Sequence, residues 1–443
     1  MLQRHIVRWG LAFALISGSG IGQAEESRAA WIQSDYDTHL GDLFVHFHKN
    51  PELSMMEFKT AARLAQELRD TGFEVTEGVG GTGVVAIMRN GPGPMVMMRA
   101  DMDGLPVLEK SGLSYASTAT QNDWEGREVP VMHACGHDMH ITSLVGTARF
   151  MAASKDAWSG TLMLIGQPAE ERIIGAKIMM QDDLWGRFGK PDYALALHVS
   201  SEVPAGKIVA STSAMYSGAD TVDIAIKGVG AHGASPHSGI DPVVLGSQIV
   251  MALQTLVSRE LPPREPGVVT VGSFHAGTKH NIISDSAHLQ LTVRSEDPKS
   301  RQTLLDGIVR IAENMGRVAG LPEDKLPIVT ISEESVPPTV NDAGLSARLR
   351  GMWAKELGPE VLHDQKRLSM GAEDFGFFTE IPYVPSTYFG IGGTPQADFD
   401  AAENGGAPVP SHHSGLFKIE PESSITLGVE ATVLALMELM GRE

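Results

Sequence analysis

Apolar segments that resemble β-strands alternate with helical segments in the first half of the chain, and this alternation restricts the possible folds most. The strand-like segments include "TGVVAIM" (82–88), "PMVMM" (94–98), "GTLMLIG" (160–166) and "YALALHV" (193–199). Parallel strands need crossover connections and are covered on both faces, so their sequences are almost continuously apolar. The pattern therefore predicts an α/β fold, with a mainly parallel sheet between layers of helices.

The pattern changes between residues 213 and 332. "DTVDIAIKG" alternates with period two, and a helix, two strands, a second helix and a last strand follow. This β-α-β-β-α-β order is typical of a ferredoxin-like α+β domain. A chain of 443 residues also exceeds the size that a single core normally reaches. We therefore predict one domain formed by residues 25–212 and 333–443, and an inserted domain formed by residues 213–332.

The N-terminus is typical of a secretory signal peptide. Arg4 and Arg8 form a positive segment before the apolar run "GLAFALISGSGIG", and small residues lead to an expected cleavage site after Ala24. Residues 1–24 are therefore predicted to direct export, to the periplasm or the exterior, with an uncleaved N-terminal anchor as the alternative. The rest of the chain is not expected to span a membrane.

Charge and cysteine content restrict the partners. The net charge is −19, which disfavours nucleic acid or an anionic membrane as a partner because phosphate binding needs a basic surface. Cys135 is the single cysteine, so the chain can form no internal disulfide. In an exported protein, such a free thiol is expected to be buried or bound to a metal ion.

Polar residues follow three of the predicted strands, at the place where an open α/β sheet binds its ligands. A further group occurs in "MHACGHDMH" (132–140), between two of those strands. We expect these side chains to meet at one edge of the sheet: Arg99, Asp101 and Asp103 after one strand, Cys135 and His137 in the connecting segment, Glu170 and Glu171 after the next strand, and His198 after the third.

Thiolate, imidazole and carboxylate groups together favour Zn, Mn, Co or Ni over Mg or Ca. Glu170 and Glu171 are expected to point to opposite sides of an extended segment, so that one binds metal and the other acts as a base. A Cys135 nucleophile paired with His133 or His137 is an alternative, but it leaves the Glu pair unused. Each residue taken alone is also compatible with a structural role.

Several longer motifs are distinctive, and they occur in a fixed order: "RADMDGLP", "MHACGHDMH", "GQPAEE", "ALHV", "GVGAHGASPH", "HNIISDSAHLQLTVRS", "MGAEDFGFF" and "HHSGLF". Through them the chain resembles the M20 metallopeptidase family, in particular its amidohydrolase branch of hippurate, N-acyl-amino-acid and auxin-conjugate hydrolases. The resemblance implies a zinc-peptidase-like catalytic domain, an inserted lid domain that forms a homodimer, and two divalent metal ions per subunit (Mn, Zn, Co or Ni).

Carried over by motif, the resemblance implies five metal ligands: Cys135, His137, Glu171, His198 and His413. His412 is the alternative to His413, because the chain reads His-His-Ser-Gly at this place. Glu170 would be the general base. Asp101 is a candidate catalytic residue, although Arg99 stands where many members have a ligand histidine, which favours an indirect role for Asp101. His133, Asp138 and His140 are expected to support the site.

The resemblance also implies substrate contacts in the lid domain. His232 and Asn281 resemble residues that reach the substrate of the partner subunit. Arg294 resembles a contact for a substrate carboxylate, which arginine binds through two parallel hydrogen bonds, and the alternative is an ordinary surface charge. The family often has a glycine-rich run after the Glu pair, whereas this chain has "RII" at 172–174, which is expected to narrow or reshape the pocket.

These features favour a metal-dependent amidohydrolase that cleaves the amide bond of N-acyl amino acids, such as hippurate-like or N-acetyl-amino-acid substrates. A dipeptidase or carboxypeptidase that uses the same two-metal site is an alternative, and it differs in the acyl half of the substrate. A non-catalytic exported binding protein with the same fold is a more remote alternative, because every expected ligand position is filled.

Overall fold

The computed structural model describes residues 20–364 and 370–442, with side chains from residue 28 onwards. Within these ranges the chain forms twelve α-helices: α1 (Gly20–Asp35), α2 (Gly41–Lys49), α3 (Phe58–Asp70), α4 (His137–Ala153), α5 (Gly175–Gln181), α6 (Leu184–Phe188), α7 (Pro242–Thr255), α8 (Pro298–Val318), α9 (Ala343–Leu357), α10 (Gly376–Thr379), α11 (Gln396–Glu403) and α12 (Pro421–Met440). Most of the predicted signal peptide lies outside the described residues, and export stays a prediction.

The same residues form seventeen strands: β1 (Glu74–Val79), β2 (Gly83–Asn90), β3 (Met95–Asp101), β4 (Thr120–Asn122), β5 (Glu128–Pro130), β6 (Gly160–Gln167), β7 (Tyr193–Pro204), β8 (Ile208–Val209), β9 (Ala214–Tyr216), β10 (Gly218–Lys227), β11 (Ala231–His232), β12 (Gly267–Ala276), β13 (Ile282–Ile283), β14 (Ser286–Ser295), β15 (Ile328–Ile331), β16 (Thr339–Val340) and β17 (Ser386–Thr394). Seven of them build one sheet in the order β1-β2-β6-β3-β7-β17-β8. Its central strands β6, β3, β7 and β17 pair in parallel, and the outer pairs are antiparallel. The predicted α/β fold is confirmed.

Helices cover both faces of this sheet, which explains the continuous apolar runs in its strands. In β3, Val96 and Met98 belong to a core that includes residues of α4 and α12, whereas Met97 belongs to a second core with residues of α5 and α6. Successive side chains of a strand point to opposite faces, so each strand must supply both cores. Among the described helices, α12 is long and apolar enough to cross a membrane, but it is mostly buried inside the fold and packs on α4.

A second sheet has the order β12-β14-β10-β15, with every pair antiparallel. Helices α7 and α8 pack on it around a separate core that includes Ile224 and Leu289. Both helices begin with Asp-Pro. The side chains of Asp241 in α7 and Asp297 in α8 accept hydrogen bonds from N–H groups of the first turn. Proline is tolerated at the first helical position because an N–H group there would have no partner within the helix. This is the predicted ferredoxin-like lid architecture, and the domain boundaries themselves stay predictions.

The strand register brings the carboxyl ends of the central strands to one edge of the first sheet. Asp101 at the end of β3 pairs with Gln167 at the end of β6. On the other side, His198 does not follow its strand as predicted: β7 continues to Pro204, and His198 lies within it, paired with Gly390 in β17. The two segments that connect the first sheet to the second contain β9 and β16, and these strands pair with each other in antiparallel fashion. Segments that are distant in the sequence therefore meet at this edge.

Candidate metal centre

The segment that contains Cys135 and His137 passes very close to β7. Gly136 between them has φ 85°, a left-handed conformation that glycine adopts without strain. A Cβ atom at this position would lie only 2.3 Å from Cγ1 of Val199 in β7. Glycine therefore allows Cys135 and His137 to lie beside the end of β7, and α4 begins directly at His137.

Cys135 and His198 face each other, with 3.5 Å between Sγ and Nε2. Nδ1 of His198 lies 2.6 Å from the carbonyl oxygen of Val199 and must donate to it, so the lone pair of Nε2 points into the cluster. Burial holds the pKa of His198 well below its ordinary value, so the ring is neutral. Burial, together with Glu171 and Glu170, raises the pKa of the Cys135 thiol. A protonated, buried thiol disfavours the alternative in which Cys135 is a nucleophile.

His137 is fully buried, and its Nε2 atom has no hydrogen-bond partner among the described residues. Nδ1 lies 3.3 Å from a carboxylate oxygen of Asp103, while Nε2 lies 3.7 Å from Glu170 and 3.9 Å from Glu171. Burial alone would lower the pKa of His137, but Asp101 and the other nearby carboxylates raise it to about 10. Neither ring nitrogen makes a hydrogen bond among the described residues, although both face carboxylate oxygens. A buried imidazole in such acidic surroundings suits a cation ligand.

The Glu pair lies in a turn, and the predicted extended segment is wrong. The N–H group of Ile173 donates to the carbonyl oxygen of Glu170 at 2.6 Å. The N–H groups of Glu170 and Glu171 both donate to the buried carboxylate of Asp103, at 3.1 and 3.0 Å. Because one carboxylate binds two consecutive N–H groups, the chain cannot remain extended. Both glutamate side chains therefore point towards His137 and not to opposite sides.

The two glutamates differ in their surroundings. Glu170 is buried, and burial together with Glu373 and Glu171 raises its pKa well above the ordinary value. Glu171 instead lies 3.3 Å from Nε2 of His413. Ligand atoms of Glu171, His413 and Cys135 lie within 4.8 Å of one another. This geometry favours Glu171 as a ligand and leaves Glu170 for proton transfer.

The two neighbouring histidines of the "HHSG" motif also differ. The backbone N–H of His413 donates to Ala134 at 2.9 Å, which holds this residue next to Cys135. Nε2 of His412 accepts a hydrogen bond from the N–H of Ser201 at 3.1 Å, and burial lowers the pKa of His412 to about 3. Because Nε2 of His412 already binds the backbone, the geometry favours His413 as the fifth ligand.

Asp101 and Arg99 are fully buried behind His137. Asp101 accepts hydrogen bonds from Arg99 at 2.6 Å and from Nδ1 of His140 at 2.5 Å. Nε2 of His140 accepts from the N–H of Val199, so both nitrogens of His140 are engaged. Asp101 is not among the described residues that line the cavity. Its surroundings therefore favour a positioning role, and a direct catalytic role of Asp101 stays a prediction.

Glu373 is a buried residue of the site that the sequence analysis did not single out. It accepts hydrogen bonds from Arg99 and from the hydroxyl group of Tyr388, both at 2.8 Å. It also lines the cavity and lies close to Glu170 and Asp101. The motif "MGAEDFGFF" contains it, and the acidic pair inside that glycine-rich motif was the available signal.

The site opens into a cavity of about 1080 Å³ between the two sheets. Its described lining includes Glu170 and Tyr216 near the cluster, Arg172 and Ile173 after the Glu pair, and Arg294 from the lid. Two residues of the "RII" segment, Arg172 and Ile173, thus line the cavity, and a narrower or reshaped pocket stays a prediction. His232 and Asn281 are exposed and do not line this cavity within the described residues, although they lie together, with the N–H of Gly233 donating to the carbonyl oxygen of Asn281 at 2.8 Å.

The donor groups fit divalent transition-metal ions. Three sets of potential ligand atoms each lie within 4.8 Å of one another, and they contain all five predicted ligands: Cys135 with His137 and His198, Cys135 with Glu171 and His413, and His137 with Glu170 and Glu171. The sets combine sulfur, nitrogen and oxygen, which is typical of transition-metal sites. The orphaned Nε2 of His137 and the excess of carboxylates indicate that the cluster is completed by cations.

Relatives of known description share most of the chain. A thermostable carboxypeptidase from Saccharolobus solfataricus is 36% identical over 349 residues, which are 78% of this chain and 83% of the relative. A hippurate hydrolase from Campylobacter jejuni is 35% identical over 339 residues, which are 75% of this chain and 83% of the relative.

A solved structure from Bacillus subtilis, described as a dinuclear metal-binding peptidase of the M20 family, aligns with a TM-score of 0.73 and 26% identity, over 92% of this chain and 99% of that chain. The model of peptidase family M20/M25/M40 matches residues 97–406. The matched segment contains four of the five predicted ligands and the Glu pair. This chain is therefore a member of peptidase family M20/M25/M40 and a metallohydrolase that acts on amide bonds, as the resemblance of its motifs predicted.

Proposed function

We propose that this protein hydrolyses N-acyl amino acids, with two divalent ions held by Cys135, His137, Glu171, His198 and His413. One observation carries the proposal: the buried carboxylate of Glu170 lies on the cavity wall beside this ligand set, 3.7 Å from Nε2 of His137. The similarity to a hippurate hydrolase, an enzyme named for an N-acyl amino acid, supports the substrate class.

Divalent ions bound by these residues would lower the pKa of a water molecule and polarise the acyl carbonyl. Glu170 accepts the proton of the attacking water, and burial, which raises its pKa above that of an ordinary carboxylate, favours this proton transfer. The protonated Glu170 then donates that proton to the leaving amine. Arg294 lines the cavity and binds the α-carboxylate of the substrate through two parallel hydrogen bonds.

Hydrolysis of dipeptides, or removal of C-terminal residues from short peptides, is the second candidate. It uses the same residues, and the similarity to a thermostable carboxypeptidase favours it. The cavity of about 1080 Å³ has room for a peptide of two or three residues. The two candidates differ only in the group on the acyl side of the scissile bond.

The test compares N-acetyl and N-benzoyl amino acids with dipeptides, each with Mn, Zn, Co or Ni. Faster hydrolysis of the N-acyl amino acids is expected, and faster hydrolysis of dipeptides would select the peptidase. In Glu170→Gln, kcat should fall by about 10²–10⁴-fold, the usual contribution of a general base, while bound metal is retained. Glu334→Gln, a change elsewhere in the cavity lining, is the control and should keep activity within about threefold of the parent.

A Glu170→Gln protein that binds metal and keeps the parental rate would refute the assigned mechanism. Failure to retain any metal ion after gentle purification, together with no turnover of any substrate in the panel, would favour the non-catalytic binding protein. We also propose export and a homodimer through the lid. His232 and Asn281 are exposed and lie outside the described cavity lining of their own subunit, which supports a role in the cavity of a partner subunit. The molecular mass in solution tests the dimer.

A further inference from the structure

The cavity is lined by two arginines that have no carboxylate partner among the described residues, Arg172 and Arg294. Asp220 is the acidic group whose charge acts on Arg294. It is already bound by Arg301, whose Nη2 and Nε lie 2.7 and 2.9 Å from its carboxylate oxygens. In a chain with a net charge of −19, unpaired guanidinium groups in a cavity are available to an anionic ligand. Arg294 has a proposed role, and Arg172 has none.

Within the described part of the chain, Arg172 is held in place without using its hydrogen-bond donors. Its guanidinium lies over the ring of Trp124, 4.8 Å from the ring centroid. The indole N–H of Trp124 donates to the carbonyl oxygen of Ser54 at 3.1 Å, which fixes the ring. Stacking engages the flat face of a guanidinium, whereas a carboxylate binds its edge. Arg172 can therefore keep its support and bind a carboxylate at the same time.

The support of Arg172 is joined to the residues that position the general base. The hydroxyl group of Ser54 donates to Asp103 at 2.6 Å, and Asp103 also accepts the N–H groups of Glu170 and Glu171. Ile173, the residue after Arg172, has φ 50°, a left-handed conformation that is costly for a β-branched side chain. This turn sets the position of Arg172 relative to Glu170.

We propose that Arg172 binds a second carboxylate, so that the preferred substrates are N-acyl amino acids that carry two carboxylates. Arg294 binds the α-carboxylate, and Arg172 binds a carboxylate on either the amino-acid side chain or the acyl group. The proposal rests on the proposed function. Apart from the proposed ligands and Glu170, the described lining contains four acidic residues: Glu202, Glu296, Glu334 and Glu373. The second carboxylate therefore binds through direct pairing with the guanidinium of Arg172.

The test uses two matched pairs of substrates with the metal-loaded enzyme. N-acetylglutamate against N-acetylglutamine places the extra carboxylate on the side chain, and N-succinylalanine against N-butyrylalanine places it on the acyl group. In at least one pair, kcat/KM of the parent should favour the dicarboxylate by about tenfold, as expected for a charge-assisted contact. Arg172→Gln should abolish the preference. Arg187→Gln is the control, because Arg187 also stacks on a ring, that of Phe188, but lies outside the described cavity lining.

Binding separates this proposal from the hydrolytic one. In a Glu170→Gln background, calorimetry should show about tenfold tighter binding of the dicarboxylate of the same pair, and Arg172→Gln should remove the difference. Such binding without turnover of any substrate by the parent would refute the proposed hydrolysis and leave the role of Arg172 intact. Turnover without a preference in either pair, or a preference that survives Arg172→Gln, would refute the role of Arg172. A higher kcat/KM for N-acetyl-lysine than for both dicarboxylates would also refute the role of Arg172.

Discussion

His48 lies between two buried carboxylates and is not one of the proposed ligands. Nδ1 is 2.7 Å from Asp138, and Nε2 is 3.1 Å from Glu109. Burial alone would lower the pKa of His48, but the two hydrogen bonds raise it to about 10. The ring also contacts Tyr115, and nearby His133 is neutral because burial lowers its pKa to about 4. At neutral pH His48 is therefore a cation that joins α2 to the first turn of α4.

The charge of His48 predicts a pH-dependent contribution to stability. The pKa of an unfolded histidine is about 6.5. Because the folded value is higher, the stabilisation is complete below about pH 6.5 and declines as the pH rises towards 10. His48→Gln should reduce the free energy of unfolding by on the order of 3 kcal/mol at pH 6.5 and by clearly less at pH 9.5. Urea denaturation at both pH values measures the difference.

His39→Gln provides the matched control for this titration. His39 pairs with Glu67 at 2.8 Å, but its side chain is 30% exposed, so the pair should contribute less than about 1 kcal/mol. If the cost of His48→Gln were the same at both pH values, His48 would not be a charged group in the folded protein.

At the scale of elements, Arg99 connects β3 to three neighbours. Its guanidinium donates to Gln167 in β6 at 2.8 Å, to the hydroxyl group of Tyr388 in β17 at 3.3 Å, and to Glu373 before α10 at 2.8 Å. It also lies 3.6 Å from Asp374. Arg99 is thus the cation among three buried carboxylates, those of Asp101, Glu373 and Asp374. Its contact with Asp101 connects β3 to the candidate metal centre.

Removal of this cation should destabilise the protein strongly. Arg99→Gln leaves Glu373 and Asp374 buried without their positive partner, a change that typically costs about 3–5 kcal/mol. Chemical denaturation should show that loss. Arg89→Gln in β2 is the control: Arg89 pairs with Glu74 at 2.9 Å on the exposed surface, and its loss should cost less than about 1 kcal/mol. Equal effects of the two substitutions would contradict the assignment of Arg99 as the central cation.

The secondary-structure elements of the site differ in how well the sequence predicted them. The ends of β3 and β6 were predictable, because each apolar run stops close to its polar residues. The end of β7 was not, because the strand continues past His198 to Pro204. The turn at 170–173 was not, because it depends on Asp103 from another strand. The position of Glu373 was not predictable either, because no apolar strand precedes it and only its contacts with Arg99 and Tyr388 bring it to the site.

At the scale of the whole molecule, the proposed ligands connect four separate parts of one domain. They come from the start of α4, the turn after β6, the strand β7 and the segment before α12, and none comes from the ferredoxin-like sheet. Carboxylates exceed cations in the cluster, so these segments repel one another unless positive charge is bound. Bound ions should therefore stabilise this part of the fold and leave the lid core unaffected.

Chelation followed by dialysis should lower the midpoint of thermal unfolding by several degrees, since an ion present at about 100 times its Kd adds about 2.7 kcal/mol of stability. Hydrogen exchange should accelerate at residues 133–140, 169–173 and 411–414, while β10 and β14 keep their protection. Zn or Mn should restore both properties, whereas Ca should not, because thiolate and imidazole are poor ligands for it. Unchanged midpoint and exchange after verified loss of metal would show that the ions have no structural role, and accelerated exchange in β10 and β14 would show that the two cores unfold together.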